Sequence, residues 1–260
     1  MISVQNVSYI AGRKKILNDI SFQLSPGEML AVIGANGAGK STLLKLLCRE
    51  MNAQSGSIQF NGKAINAYAI KELAQLRSVL TQHSTVSLLF TVKELVLMGR
   101  YPHFEHHPSS LDLWVIDEVM RETGITDFAL RDYNTLSGGE QQRVQLARVI
   151  AQIYDKPNAF LFLDEPTNGL DLLYQQQILQ LARNMADRGY TVISILHDIN
   201  FASRYADKIL ILKDGQTVAF GEPKNVINCE NIHRAFNIHV KLMDCEGLKC
   251  PLVIPSGVLV

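Results

Sequence analysis

The sequence predicts an α/β fold built on a mainly parallel sheet, with an N-terminal antiparallel β subdomain and an inserted helical subdomain. Three observations lead there. Strand-length apolar runs alternate with helical patterns in the first and last thirds of the chain, the order that builds parallel sheets. Near the N-terminus, "ISVQNVSYI" alternates like an edge strand and "GSIQFNGKAI" carries the glycines of a hairpin. Between residues 83 and 152 the pattern is mostly helical.

Taken in order, "GEMLAVIG" reads as a buried strand, "KSTLLKLLCRE" as a helix and "LRSVLTQ" as a strand. "TVKELVLMGR" opens on a threonine cap and is closed by Gly99 and Pro102. "SLDLWVIDEVMRETGI" puts Leu113, Ile116, Val119 and Met120 on one helix face. The helix opened by "SGGEQQRV" ends near Pro157. Then follow a strand "NAFLFLDEP", a helix "LYQQQILQLARNMADRG", a strand "TVISILHD", a helix "INFASRYAD" and a hairpin "KILILKDGQTVAFG". The expected division is a core from residues 1–82 and 153–220, a helical subdomain at 83–152 and a C-terminal appendage at 221–260.

The 25 basic and 25 acidic residues cancel, which argues against a broad nucleic-acid footprint. "MISVQNVSYI" lacks the charged and apolar regions of a signal peptide, and no apolar run approaches the roughly 20 residues of a membrane span. A protein that is itself soluble is expected, any span being supplied by another subunit. Cys48, Cys229, Cys245 and Cys250 form no CxxC pair and read as reduced thiols of a cytosolic protein.

The chemistry begins at "GANGAGKST", residues 34–42. It fits G-x-x-x-x-G-K-[ST] after an apolar strand and before a helix, the context that marks a P-loop NTPase. Gly34, Asn36, Gly37, Ala38, Gly39 and Thr42 belong to the cradle, whose backbone N–H groups crowd around phosphate oxygens. Lys40 adds a point charge at the β- and γ-phosphates, and Ser41 offers a hydroxyl to Mg²⁺. "FLFLDEP" ends in two acids: Asp164 for the metal shell, Glu165 to polarise a water for attack on the γ-phosphate. Two acids after an apolar strand are costly unless a cation waits there. Gln82 and His197 each end a strand, the edge where open α/β sheets bind ligands. An amide there can touch Mg²⁺ or the attacking water; an imidazole can hydrogen-bond the γ-phosphate. Ser137, Gly138 and Gly139 open a second phosphate-type helix start.

Together these stretches resemble the ATP-binding subunit of an ABC transporter over about residues 1–220. The cradle, "LTQHS", the signature "LSGGEQQRV", "FLFLDEP", "NGLD" and "LHD" stand in that family's order. The resemblance implies ATP and Mg²⁺ as cofactors, Glu165 as catalytic base, Tyr9 stacked on the adenine and Asn168 to Asp171 as the D-loop. It also implies that Ser137, Gly138 and Gly139 serve the γ-phosphate held by a second copy, so that a head-to-tail homodimer closes two composite sites. Integral-membrane permease subunits would be the direct partners, a substrate-binding protein an indirect one and nucleic acid none. The place implied is the cytoplasmic face of the inner (cytoplasmic) membrane, peripherally.

A single ATPase domain without a span fits importers with separate subunits. "TVKELVLMGRYPHF" resembles the importers of iron chelates, haem and cobalamin, and its exposed part would accept a permease coupling helix. Val92, Leu95, Val96 and Met98 are spaced either for that groove or for an ordinary core helix. "ARVIAQIYDKPNAFLFLDEP", "QQQILQLAR" and "HDINFASRYADKILILKDG" resemble most the ATPases of haem importers. Siderophore or cobalamin import, and a non-transport scaffold ATPase of iron–sulfur assembly, are the alternatives. A P-loop GTPase would need an NKxD motif, which is absent. His103, His106 and His107 in "PHFEHHP" are read as a solvated loop between prolines rather than a haem or metal site.

Overall fold

The computed structural model describes residues 1–81, 89–244 and 250–258. Strands β1 (Ile2–Ala11) and β2 (Lys14–Leu24) form an antiparallel hairpin. Ile20, Phe22 and Leu24 are buried while Ser21 and Gln23 between them are exposed, so one face of the hairpin meets a core. The six residues of β3 (Met29–Gly34) are all buried, and helix α1 (Lys40–Leu47) follows. β4 (Ser55–Phe60) returns to pair with β1, and β5 (Lys63–Ala64) completes an antiparallel sheet of order β2-β1-β4-β5. Phe60 seats this sheet on the main one: its ring lies 4.3 Å from that of Phe160 and 6.1 Å from that of Phe162.

Helix α2 (Ile70–Leu76) leads into β6 (Arg77–Leu80). Three helices come next: α3 (Val92–Met98), α4 (Ser110–Glu122) and α5 (Gly138–Ile153). Thr91 caps α3 and Gly99 ends it, as the sequence reading expects. Val92, Leu95 and Val96 are fully buried, so the core alternative holds for them. On α4 the buried stripe is Val115, Ile116, Val119 and Met120; Leu113 sits at its flank, 43% exposed, and is not part of the inward face. Arg100, 1% exposed, ties the three helices: its guanidinium donates to Asp112, Asp155 and the carbonyl of Ala151.

The chain then returns to the sheet through β7 (Phe160–Asp164), α6 (Leu172–Asp187), β8 (Thr191–Ile195), α7 (Ile199–Tyr205), β9 (Lys208–Lys213) and β10 (Gln216–Gly221). The order is β10-β9-β3-β8-β7-β6, parallel throughout except for the edge strand β10. Alternate residues of β3 enter two cores: Met29, Ala31 and Ile33 join the helical side, Leu30 and Val32 the side of α1 and the antiparallel sheet. Burial on both faces explains the unbroken apolar runs that betray these strands.

At the C-terminal end lie α8 (Pro223–Val226), α9 (Cys229–Phe236) and an antiparallel pair, β11 (Ile238–Met243) and β12 (Leu252–Val258). Val226, Ile232 and Val253 of this segment share the buried cluster of β3 and β9. Among the described residues, no helix is long and apolar enough to cross a membrane.

Candidate active site

The register of the parallel strands gathers the chemistry at one edge. Val32 and Asp164 both lie level with Ile195, so β3, β7 and β8 release Gly34, Glu165 and His197 within two residues of a common line. β6 runs parallel beside β7 with Leu80 level with Leu163. Gln82, expected two residues beyond, lies outside the described residues.

The cradle tolerates no side chain at its two ends. A Cβ at Gly34 would stand 2.3 Å from the Leu212 carbonyl oxygen, and Gly34 has φ +154°. A Cβ at Gly39 would meet Leu17 Cδ2 at 2.7 Å, and its φ of +101° suits glycine. Asn36 and Gly37 form the exposed tip, whereas Ala38 is buried and its carbonyl accepts from Gly215 N at 3.1 Å. Ser41 is exposed and Thr42 half-buried in the first turn of α1.

The start of α1 is bare. Gly39 gives it no side-chain cap, and no acid stands in its first turn. By contrast Thr91, Ser109, Ser137, Asp171 and Asp198 each cap their own helix. Donors left without an internal partner, on the positive end of the helix dipole, suit an anion. Lys40, 6% exposed, spends its ammonium on the carbonyls of Gly34 at 2.8 Å and Ala35 at 3.1 Å. Burial lowers its pKa, while Glu165 and Asp164 pull it back up.

Asp164 carries the complementary strain. Its Oδ1 is buried with no hydrogen-bond partner among the described residues. Burial, then Glu165, push its carboxyl above the usual range, against the pull of Lys45 and Lys40. A buried oxygen without a donor fits a hard cation that takes oxygen ligands. Among the described residues no group of three or more His, Cys, Asp or Glu is placed to hold a metal.

This carboxyl should weaken the ligand-free fold. A raised pKa favours the protonated form, so stability is lost as pH rises from the ordinary Asp range through the folded pKa. Asp164→Asn is therefore expected to raise the melting temperature at pH 7, by about 2–4 °C. Thermal denaturation without nucleotide or divalent cation measures it, and the gain should shrink at pH 4.

Glu165 sits in the left-handed region, φ +50°, an unfavourable conformation of the kind that clusters at functional sites. His197 Nε2 lies 2.7 Å from Glu165 Oε1, so the imidazole and the carboxyl are in direct contact. Asp198 fixes the turn by accepting from Asn200 N and Phe201 N.

Tyr9 is half-buried on β1 and in register with Leu17, whose side chain abuts Gly39. Paired residues share a sheet face, so Tyr9 flanks the cradle while packing partly on the core beneath it.

Ser137, Gly138 and Gly139 do not join this group. Ser137 caps α5 in a reciprocal box: its hydroxyl donates to Glu140 Oε2 at 2.8 Å and accepts from Glu140 N at 3.4 Å. Ser137 and Gly138 are exposed, and a Cβ at Gly138 would meet nothing within 4 Å. Gly139 is backed by Tyr174, whose ring would be 2.8 Å from an added Cβ, and Arg143 covers the same ring at 5.0 Å. The second nest is open to solvent. Tyr174 escaped the sequence reading; its place two residues into the helix capped by Asp171 is no functional signal.

Of the loop histidines, His106 and His107 are exposed, while His103 bonds the Gln152 carbonyl at 2.7 Å. Burial lowers the His103 pKa, against the pull of the Gln152 carbonyl, and so favours the neutral ring. Among the described cysteines Cys48, Cys229 and Cys250 are free, and burial pushes the Cys48 thiol up to about 12. Cys245 lies outside the described residues.

Comparison with known proteins places this edge in context. Residues 17–168 match the sequence profile described as ABC transporter. The chain is 46% identical to the hemin import ATP-binding protein HmuV of Gloeobacter violaceus, over 95% of this chain and 91% of that protein. It is 42% identical to the protein of the same name from Pseudomonas fluorescens, over 98% and 99%. A metal-chelate type ABC transporter solved in an inward-facing conformation superposes with a TM-score of 0.83 at 29% identity, covering 98% of this chain and 96% of that one.

Proposed function

Because the chain belongs to the ABC transporter family as an ATP-binding, ATP-hydrolysing subunit, we propose that it powers the import of haem across the cytoplasmic membrane as one half of a homodimer. The observation that carries the cargo is near-full-length similarity to hemin import ATP-binding proteins from several bacteria.

The cradle from Gly34 to Thr42 wraps the phosphates with backbone N–H groups, and Lys40 leaves its carbonyl partners for phosphate oxygens. Tyr9 faces the adenine. Ser41, Asp164 and Gln82 are the residues that would hold Mg²⁺, which when bound neutralises charge on the β- and γ-phosphates. Glu165 accepts a proton from the attacking water, and His197 holds that carboxylate in position by the 2.7 Å contact. The open start of α5 supplies Ser137, Gly138 and Gly139 to the γ-phosphate on the second copy. ATP thereby bridges two chains, and loss of the γ-phosphate frees them.

Leu172 and Leu173, 67% and 62% exposed beside Asp171, suit burial against that second copy. Tyr101, Leu111 and Trp114 are large, apolar and about half exposed on the helical segment, which suits docking to permease subunits at the cytoplasmic face of the membrane. A different metal chelate is the second reading, favoured by the structural match to a metal-chelate transporter.

Reconstitution with the permease tests both. Haem-loaded binding protein is expected to raise ATP turnover several-fold, and siderophore- or cobalamin-loaded proteins to leave it unchanged. Stimulation by one of the latter alone would replace haem by that cargo.

A further inference from the structure

The two ends of α5 lie in different worlds. Its first residues form the open nest; its last turn is bound into the junction with the sheet. Arg100 donates to the Ala151 carbonyl at 2.8 Å, and His103 to that of Gln152 at 2.7 Å. The side chain of Gln152 then crosses the other way. Its amide donates to the carbonyls of Ala74 at 2.7 Å and Arg77 at 2.9 Å. Ala74 belongs to the last turn of α2, and Arg77 opens β6, the strand that leads to residue 82. From α2, Gln75 donates in turn to the Pro102 carbonyl at 2.8 Å, closing the knot.

From this geometry we infer that Gln152 is a positioning residue: it fixes the angle of α5, and so the place of Ser137, to the strand feeding Gln82. The inference rests on the dimer reading above. Ser137 lies fifteen residues before Gln152, about 22 Å along a helix. A tilt of about 5° at this pivot moves the nest about 2 Å, and displacements of about 1 Å can cost about a hundredfold in rate. One amide with two acceptors thus links the helix that begins at the nest to the end of α2 and the start of β6. A cap on α2 alone would leave the nest untouched, and that difference is measurable.

The full chain is compared as Gln152→Leu, which has no donor, Gln152→Glu, which keeps the shape without donors, and Gln152→Lys, which restores one. Melting temperature, ATP affinity of the single chain and ATP-driven dimerisation in a Glu165→Gln background are measured. So is amide hydrogen exchange of residues 78–81 and 138–141 without nucleotide. We expect Gln152→Leu and Gln152→Glu to fold and to bind ATP within about twofold of the parent. Dimerisation should weaken about tenfold, both segments should exchange faster, and Gln152→Lys should recover part of each. Unchanged dimerisation and exchange in either folded variant overturns the proposal. So does a loss of ATP affinity and melting temperature as large as the loss of dimer, which would make Gln152 a structural cap. If Gln152→Leu does not fold, the isosteric Glu carries the test. If the parent background fails to dimerise, the dimer reading falls, while exchange in the single chain still decides the coupling.

Discussion

Glu165→Gln is expected to bind ATP as the unaltered chain does, to lose about 10²–10⁴-fold of its hydrolysis and to run as a dimer when ATP is present. Gln keeps the shape and one acceptor oxygen of Glu165, so the turn after β7 and the contact with His197 survive. What disappears is the proton acceptor. The substitution also removes a negative charge beside Asp164, which already titrates high because of burial and this neighbour. Less repulsion near the phosphates should stabilise the ATP-bound pair. Light scattering on the variant with ATP, with ADP and without nucleotide checks the result. A variant that remains a monomer in saturating ATP would end the two-chain reading of Ser137, whatever its hydrolysis rate.

Lys40→Ala should remove most ATP binding, by about 10- to 100-fold, since charge-assisted hydrogen bonds contribute about 1.5–3 kcal/mol each. The sign follows from the local charges. Asp164 and Glu165 both act on Lys40, and Lys45 and Lys40 oppose Asp164. Without Lys40, two carboxylates face a polyanion with one counter-charge fewer. The bare start of α1 is unchanged, so some affinity persists. Titration calorimetry with ATP measures the loss, and circular dichroism should show an intact fold. Affinity equal to that of the unaltered chain would contradict the cradle.

Much of this edge could be read in advance because its signals are local. The cradle, the two acids and the histidine each end an apolar strand, and a parallel sheet brings strand ends to one side whatever the strand order. Where the signals were not local, the reading fell short. β2 begins with two lysines and carries Asn18 and Asp19 mid-run, because one of its faces meets solvent; its apolar face emerges only from the register with β1. α2 spans seven residues and opens on Ala69, whose methyl cannot cap; Glu72 reaching back to Ala69 N at 3.3 Å is too slight a start signal to mark it. Leu113 misled because a helical wheel cannot say which way the flank of a stripe turns. Gln152, Tyr174 and Arg100 act through partners 12 to 78 residues away, and nothing adjacent in the chain announces them. The assignment of Ser137 to a second copy's cradle comes from family resemblance, not from spacing.

The uncapped beginning of α1 ties nucleotide binding to the stability of the helix itself. Phosphate oxygens complete a helix that the polypeptide leaves unfinished, so occupancy and durability rise together; at a hundred times Kd the gain is about 2.7 kcal/mol. The nucleotide-free chain is therefore expected to open to proteases more readily than the ATP-bound chain.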